Sequence, residues 1–281
     1  PTLALDGAIN HVEFSPISWA IGMNWQANVQ HQLLLNLSHS QRALSASELF
    51  AFGEHLGTST FDIGAYFSMA NNNGAALYRP SDQFNQLTTE DATTFDLGWQ
   101  YSGDQINAAL SLFYSDVDNF ASQNLVDLTG VGLPIYQYEQ TAVSIKGGEV
   151  QLNVYLNDQW SLNTFADYSL ITLSNGDYLP RMPPLRIGST LTMEDDLWRA
   201  KLGGSYYAAQ RKTAPNESTT PSYVLVHFSI ERQQDYDNGQ LKIFLSVKNL
   251  LDQQAYVHSS FIKDDAPLPG LSAKLGLRWS F

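Results

Sequence analysis

The chain of 281 residues has no cysteine. Disulfide staples are therefore excluded, and the composition suits a protein that passes through an oxidising compartment. No run of 18 apolar residues occurs anywhere in it, which removes transmembrane helices. Basic residues are scarce: 15 Lys and Arg against 28 Asp and Glu give a net charge of −13, and nucleic acid is disfavoured as a partner. No nucleophile motif of a barrel lipase or protease is present, which argues against an enzyme. No two histidines stand at the close spacing of a short metal motif. No secretory leader is present and residue 1 is Pro, so the expectation is a trimmed or partial chain.

What the chain does have is alternation. In Leu271–Phe281, Leu271, Ala273, Leu275, Leu277, Trp279 and Phe281 share one face, and Ser272, Lys274, Gly276, Arg278 and Ser280 share the other. Strict period two is a strand pattern. At ~3.3 Å per residue such a strand reaches roughly 36 Å, or about 26 Å along the normal when tilted near 45°. That matches the apolar band of an outer-membrane barrel with aromatics at the interface. The mean hydropathy of −0.21 is compatible, because lipid-facing and lumen-facing residues average out.

Ten further segments read as strands: 11–26, 31–41, 91–101, 105–116, 144–156, 160–173, 186–193, 198–210, 222–233 and 240–249. Counted back from Phe281, the connections alternate. Residues 250–270, 211–221, 174–185, 117–143 and 42–90 are long; 234–239, 194–197, 157–159, 102–104 and 27–30 are short. Short turns on one rim and long loops on the other is the outer-membrane arrangement, with short turns periplasmic. The expected fold is all-β, a transmembrane antiparallel barrel region spanning residues 1–281. Its odd count of about eleven strands departs from the even number of complete single-chain barrels. By parity Pro1–Asn10 lies on the extracellular rim, with room for at most a short twelfth strand.

Three boxes carry a family resemblance. Arg42-Ala-Leu-Ser-Ala-Ser-Glu48-Leu49-Phe50, Leu179-Pro-Arg-Met-Pro-Pro-Leu-Arg186, and Val247-Lys-Asn-Leu-Leu-Asp252 followed by Tyr256 resemble segments of TonB-dependent outer-membrane receptors. The resemblance implies a 22-stranded barrel around an N-terminal plug. The chain would then be the C-terminal half, with the plug absent. It implies localisation in the bacterial outer membrane and no enzymatic chemistry. The implied partners are the TonB energy-coupling complex through the missing plug, a metal or metal-complex ligand, outer-membrane lipid, and the barrel-assembly machinery at Phe281.

A narrower resemblance links Gly53-Glu-His-Leu-Gly-Thr58-Ser-Thr-Phe-Asp62-Ile-Gly64 and Tyr256-Val-His-Ser-Ser-Phe261 to the zinc receptors of that family. It implies energised uptake of a transition metal, zinc first, with no permanent cofactor. The expected metal site residues are His55, Glu54, His258 and Asp62, with Asp264 and Asp265 as further carboxylates. Imidazole and carboxylate are natural zinc ligands. Haem, bound through the same His55 as axial ligand, is the rival reading. A ferric siderophore is a third, and a passive porin or barrel enzyme is distant. Of the other histidines, His31 is expected at the periplasmic strand end, His39 in an aromatic girdle, His227 facing the lumen, and His11 at the outer rim.

Overall fold

The computed structural model describes residues 4–5, 11–72, 75–81, 86–127 and 132–281. In chain order the elements are β1 (Ala4–Leu5), β2 (Trp19–Gln26), β3 (His31–Arg42), α1 (Ala46–Phe50), β4 (Phe52–His55), β5 (Thr60–Ile63), β6 (Phe67–Asn72), β7 (Ala75–Pro80) and β8 (Glu90–Ser102). They continue with β9 (Ile106–Asp127), β10 (Ile135–Tyr155), β11 (Trp160–Leu173), β12 (Arg186–Glu194), β13 (Trp198–Tyr207), β14 (Tyr223–Tyr236), β15 (Gly239–Lys248) and β16 (Ser272–Ser280). The main path of the sheet runs β16-β15-β14-β13-β12-β11-β10-β9-β8-β3-β2. Each neighbour on it is antiparallel. Among the described residues β2 and β16 are each paired along one edge only, so the sheet is an open arc.

The sheet is turned inside out relative to a soluble protein. Ile21, Leu275 and Leu277 are 67%, 76% and 68% exposed, and they stand on the face that also carries Trp19, Trp25, Leu37, Phe95, Leu152 and Leu202. Cross-strand pairing keeps the polar set together on the other face: Gln100 opposite Ala109, Glu149 opposite Ser111 and Asp167, and Asp167 opposite Arg186. Exposed apolar surface this continuous is costly in water and favourable in lipid, so the outward face is the membrane face.

Aromatic residues mark both edges of that band. On the short-turn rim His31 lies 4.9 Å from the Tyr101 ring and 5.9 Å from Trp99, and accepts the Trp99 indole N–H through Nδ1 at 3.2 Å. Tyr236 and Trp279 meet at 5.7 Å on the same rim. Towards the other rim Trp19 stacks on His39 at 6.0 Å. His227 stands on the inner face opposite Gly203.

Three boundaries differ from expectation. Residues 117–143 form no simple loop: β9 and β10 pair as far as Asp127 opposite Ile135, well beyond the membrane band. The first strand of the arc begins at Trp19 instead of His11. Pro16 has no N–H to give a ladder, and Ile17 N and Gln41 N instead use the Gln41 and Ser18 side chains. The possible twelfth strand in Pro1–Asn10 lies mostly outside the described residues. Its described part, β1, pairs in parallel with β7 and not with the arc.

The long segment between β3 and β8 builds an outer layer. Ser45 starts α1 with a reciprocal capping box, its hydroxyl accepting from Glu48 N while Glu48 accepts from Ser45 N. Arg42 clasps Glu48 with two guanidinium nitrogens and also reaches Glu90 at 2.7 Å. This gives the Arg…Glu-Leu-Phe box a physical role, anchoring the layer to two strand ends. Gly64 is required by close approach, because a Cβ there would lie 2.1 Å from Leu49 O. The layer closes over its own core of Ile63, Tyr66, Phe67, Tyr78 and Ile135. β5 joins that core to the arc by pairing in parallel with the outer end of β10.

Candidate functional site

The outer layer and three of the long loops enclose a cleft of about 800 Å³ on the long-loop side of the sheet. One wall is the β4–β5 hairpin with the projecting ends of β9 and β10, contributing His55, Thr58, Thr60, Asp62, Tyr136, Tyr138 and Glu139. The facing wall comes from the loops after β11, β13 and β15, contributing Arg181, Glu217, Phe261, Lys263 and Asp264.

On the first wall His55 is held by a chain of hydroxyls. His55 Nδ1 is 2.8 Å from Thr58 Oγ1, which is 2.7 Å from Thr60 Oγ1, which donates to Asp62 Oδ1 at 2.9 Å. Thr60 gives its proton to the carboxylate, and the Thr58 hydroxyl also donates to the His55 carbonyl at 3.3 Å; a Thr58 hydroxyl that donates away from the ring accepts from Nδ1–H. His55 itself lines the cleft. An imidazole oriented through its second nitrogen by an acceptor chain is the usual preparation of a metal-binding histidine. Thr60 and Asp62 alternate along β5 and share one side, and the turn at residues 56–59 brings Thr58 beside them.

The second wall is locked by Glu217. Its Oε1 accepts from Arg181 N at 2.8 Å and from Lys263 Nζ at 2.8 Å, and its Oε2 accepts from Ala214 N at 3.0 Å. One carboxylate thus joins three loops. Burial pushes the Glu217 carboxyl up, but the Lys263 ammonium and the two backbone amides outweigh it, and its pKa lies below the ordinary value. His258 packs inside the same knot, with Nδ1 3.0 Å from Thr220 Oγ1 and Nε2 3.3 Å from Glu217 Oε1. Burial and the nearby Lys263 charge lower its pKa, and Glu217 offsets this only in part.

Of the residues expected from sequence, the structure brings His55 and Asp62 together through the hydroxyl chain. It separates the other two. Glu54 precedes His55 in β4, so the pleat turns it to the opposite face. His258 is 2% exposed, with Thr220 and Glu217 at its ring nitrogens, and does not line the cleft. Asp264 lines the cleft but accepts the Ser218 hydroxyl at 2.6 Å. Among the described residues no group of three or more His, Asp and Glu is arranged to hold a metal. Arg181, Glu217 and Phe261 were not singled out from sequence. The Leu-Pro-Arg-Met-Pro-Pro segment contains Arg181, but nothing in it shows that Arg181 takes φ of 60° and turns towards a distant loop.

A family model for the TonB-dependent receptor-like β-barrel matches residues 5–250. The chain belongs to that family. TonB-dependent receptors are outer-membrane transporters and not enzymes. Among solved structures the chain is similar to the copper transporter OprC, with TM-score 0.75 and 21% identity over 94% of this chain and 39% of that one. It is also similar to the siderophore receptor PirA from Acinetobacter baumannii, with TM-score 0.65 and 18% identity over 94% and 41%. A ferric enterobactin receptor from Pseudomonas aeruginosa gives TM-score 0.66 and 19% identity over 92% and 40%. At these identities the likeness is one of fold. The chain spans about two fifths of the length of these receptors.

Proposed function

We propose that this chain is the ligand-receiving C-terminal barrel portion of a TonB-dependent receptor that imports a transition-metal cation, with zinc as the cargo. The observation that carries this reading is His55, which lines the cleft and whose Nδ1 is tied through Thr58 and Thr60 to Asp62. Carboxylates outnumber cations around it: Asp62, Glu139, Asp177, Glu217 and Asp264 against Arg181 and Lys263. Such a cleft concentrates a cation and repels free anions. The remaining ligands would come from the rest of the receptor, and energy delivered through its plug would release the metal inward.

The copper transporter match favours copper as a second reading. The donor chemistry separates two forms of it. The cleft lining holds neither Cys nor Met, so it offers nitrogen and oxygen donors, which suit Zn²⁺ or Cu²⁺ and not thioether-seeking Cu⁺. Crystals of the full-length receptor soaked in zinc should give an anomalous peak at the zinc edge within about 2.3 Å of His55 Nε2, absent in His55→Ala. No peak there, with a hemin Soret band that His55→Ala removes, would replace the metal reading by haem.

A further inference from the structure

Arg232 stands on the lipid side of the wall. It pairs with Trp198 of β13 and Ile243 of β15, and Ile243 pairs with Leu277 of β16. Residues directly opposite one another in antiparallel strands share a face, so the row Trp198, Arg232, Ile243, Leu277 looks outward with the exposed Leu277. The row lies at the short-turn rim. Gln233 N donates to Leu197 O in the turn between β12 and β13 at 2.9 Å, and the next outward row holds Gln234, Leu241 and Trp279. Trp198, Trp279 and Tyr236 thus set Arg232 within the aromatic girdle, the depth of lipid headgroups. The guanidinium is poorly satisfied there. Its Nη2 donates to Gln234 Oε1 at 2.8 Å, and its Cζ lies 5.7 Å from the centre of the Trp198 ring. Its Nε is buried without a hydrogen-bond partner. The neighbouring carboxylates are occupied on the inner face: Glu231 meets Lys242 at 3.2 Å and Arg199 at 3.8 Å, and Arg199 also pairs with Glu194. Among the described residues these inner cations have carboxylate partners and the outward Arg232 has none.

We infer that Arg232 binds the phosphate of a phospholipid in the leaflet on the short-turn side, with the acyl chains laid along Ile243 and Leu277. A guanidinium left unpaired beside hydrocarbon is unfavourable, and the anionic acceptors outside the wall at girdle depth are phosphodiester oxygens. Arginine suits them, because its delocalised charge is weakly hydrated and several N–H groups remain once Gln234 has taken one. Trp198 supports the cation through its ring, and the apolar residues of the same row give the chains a surface to cover. The site is on the opposite side of the wall from the cleft, so it does not depend on the cargo. A lipid held there would fix the depth of β13 to β16 in the bilayer.

Native mass spectrometry of the full-length receptor in detergent, titrated with dioleoylphosphatidylethanolamine, tests this. Two further probes take the lipid apart: dioleoylglycerol has the chains without the phosphate, and glycerophosphoethanolamine has the phosphate without the chains. The wild-type receptor should bind the whole lipid more tightly than either part. Arg232→Gln should weaken binding of the whole lipid about tenfold, the loss of one charge-assisted contact, and leave dioleoylglycerol binding unchanged. Arg232→Lys should weaken it less. Arg199→Gln, which removes a charge from the inner face of the same rim, should leave it unchanged. Heat-modifiable gel mobility checks the folding of each variant. If Arg232→Gln does not fold, the wild-type comparison of whole lipid with dioleoylglycerol still decides. Equal wild-type affinity for those two probes overturns the inference, as does an Arg232→Gln receptor that keeps wild-type affinity or loses no more than Arg199→Gln. Glycerophosphoethanolamine binding as tightly as the whole lipid overturns the assignment to a membrane lipid.

Discussion

The membrane wall and the outer layer are made from one chain with one composition, and they turn opposite kinds of residue inward. In the wall, Ile21, Leu275 and Leu277 face outward and Asp167, Arg186 and Glu149 face inward. In the outer layer Ile63, Tyr66, Phe67, Tyr78 and Ile135 are sealed from solvent, as in a soluble domain. The difference is one of solvent. Lipid removes the penalty for exposed apolar surface and raises the cost of an exposed charge, whereas water around the outer layer restores the ordinary rule. The β10 strand passes through both regimes: Val150 and Leu152 stand outward, while Ile135 at its far end belongs to the buried core.

Substitutions that suit one regime should fail in the other, and the largest effect falls in the outer core. Phe67→Ala empties a side chain that is 1% exposed and should cost about 3–5 kcal/mol locally. Hydrogen exchange of the full-length receptor should rise across residues 44–80 while strands β11–β16 stay protected. Exchange that rises equally in β11–β16 would show that the two regions are one cooperative unit.

In the wall, Leu275→Arg puts a charge into the lipid band and should cost about 2–4 kcal/mol. Lys274→Leu, one residue away on the inner face, should be nearly neutral. The folded fraction after refolding into detergent or lipid, read by heat-modifiable gel mobility, checks both. Equal effects from the two variants would show the face assignment of β16 to be wrong.

The smallest effect is confined to the loop knot around Glu217. His258 has a lowered pKa, so below the ordinary histidine value of 6.5 the opened loop binds more protons than the closed one. Closure therefore weakens as pH falls through that range. Glu217 also has a lowered pKa, so its contribution is present above the ordinary 4.5 and is lost as pH falls through its own lower value. Protection factors in loops 208–222 and 249–271, taken relative to the intrinsic exchange rate at each pH, should fall from pH 7.5 to pH 5.5, and His258→Gln should flatten that change. Protection that stays constant over this range would show that His258 does not govern the knot.

Much of the wall was legible because a strand in a half-lipid sheet repeats every two residues. Trp160–Leu173 was placed to the residue, and the terminal alternation of Leu271–Phe281 reappears as β16. The alternation of short and long connections assigned the two rims. The site was less legible. His55 and Asp62 come from a local motif whose Thr58 and Thr60 lie between them in sequence, and the structure places both on the cleft. Where Glu54 and His258 stand was not legible, since the first depends on which way a short hairpin pleats and the second on how three loops pack. Arg181 and Phe261 are 80 residues apart (261 − 181), and neither carries a local signal of the other.

The sequence by itself therefore determined the strands, their order, their lipid-facing sides and the family, because period-two patterning and turn length are local and are enforced by the bilayer. Tertiary structure alone decided that β9 and β10 continue outward to dock β5, that His258 is buried, and that Glu217 ties three loops into the wall facing His55. Those outcomes depend on contacts between loops far apart in the chain, where packing and hydrogen bonding choose among many conformations that local sequence leaves equally open.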